Sequence, residues 1–261
     1  MKIYKAFAKV NIFLKITGTR DNYHKIISRF MKVTNLYDEL SFVRKNSLQS
    51  LKKEFTIIGD FSCKTEQNTI YKAYQALKSF TNSKELEKFM FTHCIKVEKS
   101  IPAFAGLGGG SSDAATYLKM CNEILELGLS IDELATIGLK IGADVPFFIY
   151  GYDSANVSGI GEIVEEFKEE HLEFDVYTPS IEISTPKVYT IYRKDFFNPI
   201  DDFIVEKLKN TKSLDILNSM SIDEVNDLYK PALQEYKELS KYYKDGYYFS
   251  GSGSSFFRVK D

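Results

Sequence analysis

The sequence predicts an α+β fold of two subdomains, with a site in the cleft between them. Three observations predict it. Residues 3–43 carry strand patterning and no helical period. From Asn68 onward apolar residues recur at helical spacing. A glycine-rich segment, residues 106–112, stands between a short strand and a helix start.

The elements follow in order. Residues 3–16 alternate loosely and are rich in β-branched and aromatic side chains, so they read as a strand. Residues 17–23 (TGTRDNY) have turn chemistry. Residues 26–35 and 38–43 read as two further strands. Ile70, Ala73, Tyr74, Leu77 and Phe80 then mark one face of a helix. Residues 94–99 read as a strand that runs into the glycines. Ala114, Ala115, Leu118, Cys121, Ile124 and Leu125 mark a second helix, with Gly128 placed to end it. Ser130 and Glu133 have the spacing of a capping box and open a third helix, which Gly142 stops. Residues 145–150 read as a return to strand. Ser221 and Glu224 repeat the capping-box spacing, and residues 247–259 read as strand, turn, strand around 250–253. No internal repeat, low-complexity tract or obvious linker interrupts the chain. The expected division is an N-terminal domain over 1–155 and a C-terminal domain over 156–261.

Composition narrows the function classes. The 261 residues are 44% hydrophobic and 27% charged, the balance of a globular protein with a real core. A formal net charge of −2 offers no basic face for nucleic acid and no attraction to an anionic membrane. The three cysteines, Cys63, Cys94 and Cys121, match no metal spacing and are expected as free thiols in a reducing cytosol. The start lacks a signal-peptide run, and no stretch reaches the ~18 apolar residues of a membrane span. The expectation is a cytoplasmic protein with no nucleic-acid, membrane or obligate protein partner.

The segment from Pro102 to Ala115 (PAFAGLGGGSSDAA) carries the chemistry. Gly106, Gly108, Gly109 and Gly110, with Leu107 among them, let a ligand approach the backbone. The helix that follows presents unpaired N–H groups and the positive end of its dipole. Ser111 and Ser112 add hydroxyl donors. Together these suit a triphosphate, where a side chain at Gly109 would block the approach. The segment lacks the lysine of a Walker loop and follows a β-rich region, unlike a Rossmann fingerprint. The plain alternative is a flexible glycine turn.

The run GLGGGSSDAA resembles the central motif of the superfamily named for galactokinase, homoserine kinase, mevalonate kinase and phosphomevalonate kinase. Residues 8–14 (AKVNIFL) resemble its first motif and residues 250–255 (SGSGSS) its third. Within it, the AKVN opening, Arg20-Asp-Asn-Tyr-His, GLGGGSSDAA, Ile141-Gly-Ala-Asp-Val-Pro-Phe-Phe and Asn226-Asp-Leu are similar to the branch acting on a cytidine-diphosphate-linked polyol. One departure is Asn22, where that branch has glycine.

The resemblance implies transfer of the γ-phosphoryl group of ATP to the 2-hydroxyl of 4-diphosphocytidyl-2-C-methyl-D-erythritol, in non-mevalonate isoprenoid precursor biosynthesis. Mg²⁺ would arrive with the ATP phosphates, and no protein ligand for it is identified. Asp144, set against Val145, Pro146 and Phe147, is a natural general base and is given that role by the resemblance; the other reading is a turn cap. Lys9 alone would read as a solvent-facing strand lysine, and the resemblance makes it the partner of Asp144. Asn11, two residues on, shares its face and could bind the acceptor. Tyr23 and His24 are implied to stack on and read the cytosine, with Thr185 and Tyr189 on its other side. Asn68 and Lys99 fall where adenine contacts are implied, and read equally as a helix cap and a solvated lysine. Homoserine or mevalonate kinase, or a non-catalytic nucleotide-binding protein of the same fold, are the competing readings.

Overall fold

A computed structural model of the chain describes residues 2–21, 23–46, 54–198 and 200–260. Asn22 lies outside the described residues. The chain divides into two compact units. One comprises Met1–Phe7, Leu36–Ile101 and Gly109–Gly151. The other comprises Ala8–Asn35, Pro102–Gly108 and Tyr152–Asp261. Two long strands, β1 (Tyr4–Arg20) and β2 (Tyr23–Arg44), supply residues to both.

In the first unit, the end of β2 pairs antiparallel with β4 (His93–Glu98), from Glu39 opposite Glu98 to Arg44 opposite His93. The short β3 (Ile57–Ile58) pairs parallel with β4. The helices are α1 (Thr69–Thr81), α2 (Lys84–Thr92), α3 (Gly109–Ile124), α4 (Ile131–Leu139) and α5 (Val145–Tyr150). Tyr74, Leu77, Met90, Ile95, Tyr117, Leu118 and Phe147 are buried in this unit.

In the second unit, β2 pairs antiparallel with β5 (Ser154–Gly159), from Ile26 opposite Gly159 to Met31 opposite Ser154, and β5 pairs with β6 (Ile163–Glu166). A separate sheet has the order β7–β9–β8, from Phe174–Tyr177, Phe256–Val259 and Tyr248–Phe249. The helices are α6 (Thr185–Ile191), α7 (Asp202–Asn210), α8 (Ser213–Ser219), α9 (Ile222–Val225) and α10 (Tyr229–Glu235). Leu14, Ile16, Val188, Leu228, Phe249 and Phe256 belong to one buried cluster among them.

Three expectations are corrected. Residues 145–150 form helix α5 and not a strand. Pro146 sits in its first turn, where a missing N–H costs nothing, and Gly151, at φ +77, closes it with an N–H bond to Phe147 O at 3.0 Å. The strands expected at 26–35 and 38–43 are one strand, β2. The expected turn over 17–23 is shorter, since β1 extends to Arg20. Both capping boxes form, at Ser130–Glu133 and Ser221–Glu224. The three cysteines are free thiols, and among the described residues no helix is long and apolar enough to cross a membrane.

The second unit is fastened around Arg29 of β2, whose side chain is fully buried. Its Nε donates to Asn156 Oδ1 at 2.7 Å, and its Nη2 to the carbonyls of Lys209 at 2.8 Å and Leu208 at 3.2 Å. Nη1 donates to Thr211 O at 3.1 Å and faces Glu169 Oε1 at 3.5 Å. The guanidinium carbon lies 3.4 Å from the Phe167 ring centroid. Arg29 thereby satisfies carbonyls at the end of α7 and places a cation at the negative end of that helix. Burial lowers its pKa to about 10, with Glu169 pulling the other way, so it remains charged at neutral pH. Replacing Arg29 by Met strands the buried Glu169 carboxylate and should cost about 3–5 kcal/mol in denaturant unfolding. Adding Glu169→Gln should recover part of that loss. A loss below about 1 kcal/mol for the single variant would show that the hub carries no structural weight.

Candidate active site

Two segments of the second unit, β1 and the C-terminal loop, converge on the Gly106 carbonyl. Lys9 and Asn11 are two apart on β1 and share a face. Lys9 is buried, at 3% exposure, and is no solvent lysine. Its Nζ donates to Asn11 Oδ1 at 2.6 Å and to Gly106 O at 2.8 Å, and lies 4.8 Å from the Phe30 ring centroid. Asn11 Nδ2 donates to Ser28 Oγ at 2.9 Å. From the C-terminal loop, Ser250 Oγ donates to the same Gly106 O at 3.0 Å. The loop is further pinned by Ser255 N–H on Ala105 O at 3.1 Å, and Lys9 N–H bonds Leu107 O at 3.0 Å. Gly106 holds φ +72, and a Cβ there would sit 2.1 Å from Ser250 O.

In the first unit, Gly109 opens α3. A Cβ at Gly109 would lie 2.8 Å from Ile101 Cγ2. The expectation that a side chain there faces phosphate is therefore revised: it meets the neighbouring core first. Thr69 Oγ1 donates to Gly110 O at 2.6 Å, joining the start of α1 to the start of α3. Ser112 is buried and Ser111 partly exposed. Asn68 is the N-cap of α1, its side-chain oxygen accepting Ile70 N–H at 2.9 Å. Asp144 precedes α5 but makes no capping bond to it.

Lys99 is not a solvated lysine. Its ammonium donates to the buried carboxylates of Asp38 and, at 2.7 Å, Asp113. Asp38 Oδ1 also accepts Ser100 N–H at 2.6 Å and Ile101 N–H at 2.8 Å. Burial opposes the charge on Lys99, and Asp113 and Asp38 outweigh it, so its pKa is raised. Burial pushes the Asp113 carboxyl up to about 7, with Lys99 pulling down and Asp38 pushing up. The cluster bolts α3 to the strands that precede it.

The aromatic candidates lie in the second unit. His24 stacks on Tyr189, with centroids 5.0 Å apart and planes at 29°. Tyr192 meets His24 edge-on at 6.0 Å. Tyr23 stands outside this stack with its side 64% exposed. Burial, then the charge of Arg193, lower the His24 pKa, and its buried Nε2 has no hydrogen-bond partner among the described residues. Thr185 Oγ1 shares a 2.7 Å hydrogen bond with Ser252 Oγ, tying the helix of Tyr189 to the C-terminal loop. Sequence reasoning quoted Asp113 within GLGGGSSDAA but gave it no role, and passed over Asp38, Ser28 and Tyr192. Those three act through residues distant in the chain, so no local pattern marks them.

A family model described as GHMP kinases N terminal domain matches residues 68–152. A curated relative from Sulfurimonas denitrificans, a 4-diphosphocytidyl-2-C-methyl-D-erythritol kinase, is 66% identical over 264 residues, covering 100% of this chain and 98% of that protein. The chain belongs to the 4-diphosphocytidyl-2-C-methyl-D-erythritol kinase family. Another member of the 4-diphosphocytidyl-2-C-methyl-D-erythritol kinase family, from Sulfurovum sp., is 47% identical over 98% of both chains. A crystal structure of 4-(cytidine 5'-diphospho)-2C-methyl-D-erythritol kinase superposes with TM-score 0.72 at 26% identity, covering 100% of this chain and 90% of that one. The mevalonate kinase of Methanococcus jannaschii, at 14% identity and TM-score 0.60, shares the fold alone.

The convergence on Gly106 can be tested without any ligand. Gly106→Ala and Gly246→Ala both place a side chain at nearly the same positive φ, +72 and +76, but a Cβ at Gly246 meets nothing within 4 Å. Gly246→Ala should cost about 1 kcal/mol and Gly106→Ala clearly more, read as a larger fall in melting temperature. Equal losses would sink the close approach to Ser250.

Proposed function

We propose that this chain transfers the γ-phosphoryl group of ATP to the 2-hydroxyl of 4-diphosphocytidyl-2-C-methyl-D-erythritol, in the cytoplasm. The observation that carries the reading is the His24–Tyr189 stack with its unpartnered imidazole nitrogen. A flat ring beside a base-edge reader suits a cytosine, for which homoserine and mevalonate have no counterpart. The extent of the likeness to relatives bearing the kinase name supports it further.

In this reading the backbone of residues 106–110 and the hydroxyls of Ser111 and Ser112 cradle the ATP phosphates at the start of α3. The Lys99 ammonium, held by Asp38 and Asp113, acts by fixing the start of α3 rather than by touching adenine. Asn68 likewise serves α1 through its cap. Among the described residues no group of three or more His, Cys, Asp or Glu could hold a metal. Mg²⁺ would be held by the phosphates and would neutralise charge on them. Tyr23, His24, Thr185 and Tyr189 bind the cytidine end of the acceptor, and Asn11 its polyol end. Asp144 accepts the proton of the 2-hydroxyl as that oxygen bonds to the γ-phosphorus. The bond from the γ-phosphorus to the β–γ bridging oxygen breaks, and ADP leaves with the electron pair. Lys9 supplies positive charge beside the acceptor oxygen.

The decisive assay offers ATP and Mg²⁺ with the cytidine compound, homoserine or mevalonate. Phosphorylation of the cytidine compound alone is expected; transfer to either other alcohol with the cytidine compound ignored would overturn the assignment. Asp144→Asn should lower turnover ~10²-fold or more with both substrates still bound. Lys9→Met should act on the same step, and the two losses should combine less than additively.

His24 gives a pH test. Its pKa is lowered, so the ring stays neutral at and somewhat below pH 6.5, and its contribution is lost only as pH falls through the lowered value. Acceptor KM at saturating ATP should therefore stay level down through pH 6.5 and rise at more acidic pH. In His24→Gln this rise should be absent. An identical rise in that variant would remove His24 from the base-reading role.

A further inference from the structure

Asn226 lies in the Asn226-Asp-Leu run, to which the proposed chemistry assigns no work. It is 2% exposed and ends the four-residue helix α9. Its backbone bridges in parallel to Leu14 of β1, and the next residue continues the contact, with Asp227 N–H on Leu14 O at 3.0 Å. Asp227 Oδ2 in turn accepts Ile16 N–H at 2.8 Å. This dipeptide is thus seated on the strand that carries Lys9 and Asn11.

The side chain of Asn226 points the other way in its bonding. Its Nδ2 donates to Phe249 O at 2.8 Å and to Gly251 O at 2.9 Å, while its Oδ1 accepts Leu228 N–H at 2.9 Å. A primary amide has two N–H donors and one carbonyl oxygen, and all are used. The bond from Leu228 is an ordinary turn contact and asks only for an oxygen. The two donor bonds ask for an amide, because an aspartate offers no donor and a serine offers one.

Those two donors grip the carbonyls on either side of Ser250. Ser250 Oγ donates to Gly106 O, the oxygen that also accepts Lys9 Nζ. A Cβ at Gly251 would stand 3.3 Å from both Gly106 O and Asn11 Oδ1, a tight contact, so the loop backbone runs close to Asn11 of β1. Residues 249–251 are linked through Ser250 Oγ to Gly106 O, and from there to Lys9.

We propose that Asn226 is a positioning residue for phosphoryl transfer: by holding the Phe249 and Gly251 carbonyls it fixes the Ser250 contact that sets Gly106 O against the Lys9 ammonium. The assignment rests on the kinase reading above. It places no new group on the substrate; Asn226 acts through the loop.

The test variant is Asn226→Asp. It keeps the shape and the oxygen that accepts Leu228 N–H, and turns an oxygen toward the two loop carbonyls in place of the donor. A displacement of about 1 Å at a reacting group can cost ~10²-fold. We expect kcat with ATP and the cytidine acceptor to fall ~10–100-fold while acceptor KM changes less than ~3-fold. Ile216→Ala, a buried truncation in α8 outside the buried cluster that holds Phe249, serves as the control for lost stability. It should keep kcat within ~3-fold of wild type at a comparable loss of melting temperature. Should Asn226→Asp not fold, Ser250→Ala breaks the same connection at its far end and should give the same fall in kcat at unchanged KM. Near-native kcat in Asn226→Asp, or in Ser250→Ala where that is the variant measured, overturns the proposal. So does an equal kcat loss in Ile216→Ala, which would mark the effect as loss of fold. Absence of any ATP-dependent transfer by the wild-type protein is a separate outcome that brings down the kinase reading itself.

Discussion

The site depends on one constraint: an ammonium buried beside a glycine carbonyl. An ion withdrawn from water is tolerated only when its N–H groups are satisfied by good acceptors. Lys9 meets that demand with Asn11 Oδ1 and Gly106 O. Each acceptor then restricts its own surroundings. Gly106 must present its carbonyl inward, which it does at φ +72, a region costly for residues with a Cβ. The same carbonyl receives Ser250, and the loop approaches closely enough that a side chain at Gly251 would stand 3.3 Å from Gly106 O and Asn11 Oδ1. Asn11, having given its oxygen to Lys9, spends its N–H on Ser28 of the adjacent strand. The three motifs are distant in sequence because they answer one local requirement.

Lys99 meets the same requirement by opposite means. It is held by two carboxylates; burial, with a smaller push from Asp38, takes the Asp113 carboxyl up to about 7 while Lys99 pulls it down. A cation bracketed in this way is an anchor. It ties Asp38 of β2 and Asp113 of α3 to the residues just after β4, and Asp38 also takes the N–H groups of Ser100 and Ile101. Ile101 then packs where a Cβ of Gly109 would go. The start of α3 is therefore held by packing and charge within the first unit.

What could be read from the sequence was local. Both capping boxes form because the Ser and Glu that make each are three residues apart. The glycine segment and the α3 that follows were legible for the same reason. Helix α5 was not, because a run of buried apolar residues has no period, and only Pro146 and Gly151 hint at its geometry. Helix α2 was passed over although the Ser83 cap, the acidic Glu85 and Glu87 of its first turn and the buried Leu86 and Met90, four apart, mark it. Strand β2 read as two because residues 34–37 lose their alternating burial, although the strand itself is continuous. The role of Lys99 was hidden by distance: its partner Asp38 lies far back in the chain. The resemblance named Lys9 and Asp144 as a pair, but the seating of Lys9 on Gly106 O follows from a fold that no spacing rule encodes.

Within the second unit, the helix that carries Tyr189 and the loop that carries Ser250 are tied together. Thr185 opens the helix that carries Tyr189, and its hydroxyl bonds Ser252, two residues beyond Ser250. Tyr189 stacks on His24, and Ser250 bonds the carbonyl that Lys9 bonds. In the proposed function, a cytosine held against His24 and Tyr189 would load the same short loop that bonds Gly106. Stacking energy far from the reacting hydroxyl accelerates transfer only if it is spent on orientation at that hydroxyl. A flexible tether between the two would let the base bind and leave the alcohol unplaced. The Thr185–Ser252 bond, the Asn226 grip on either side of Ser250 and the tight approach of Gly251 restrict that freedom, so that in the proposed function binding the base and aligning the acceptor would be coupled.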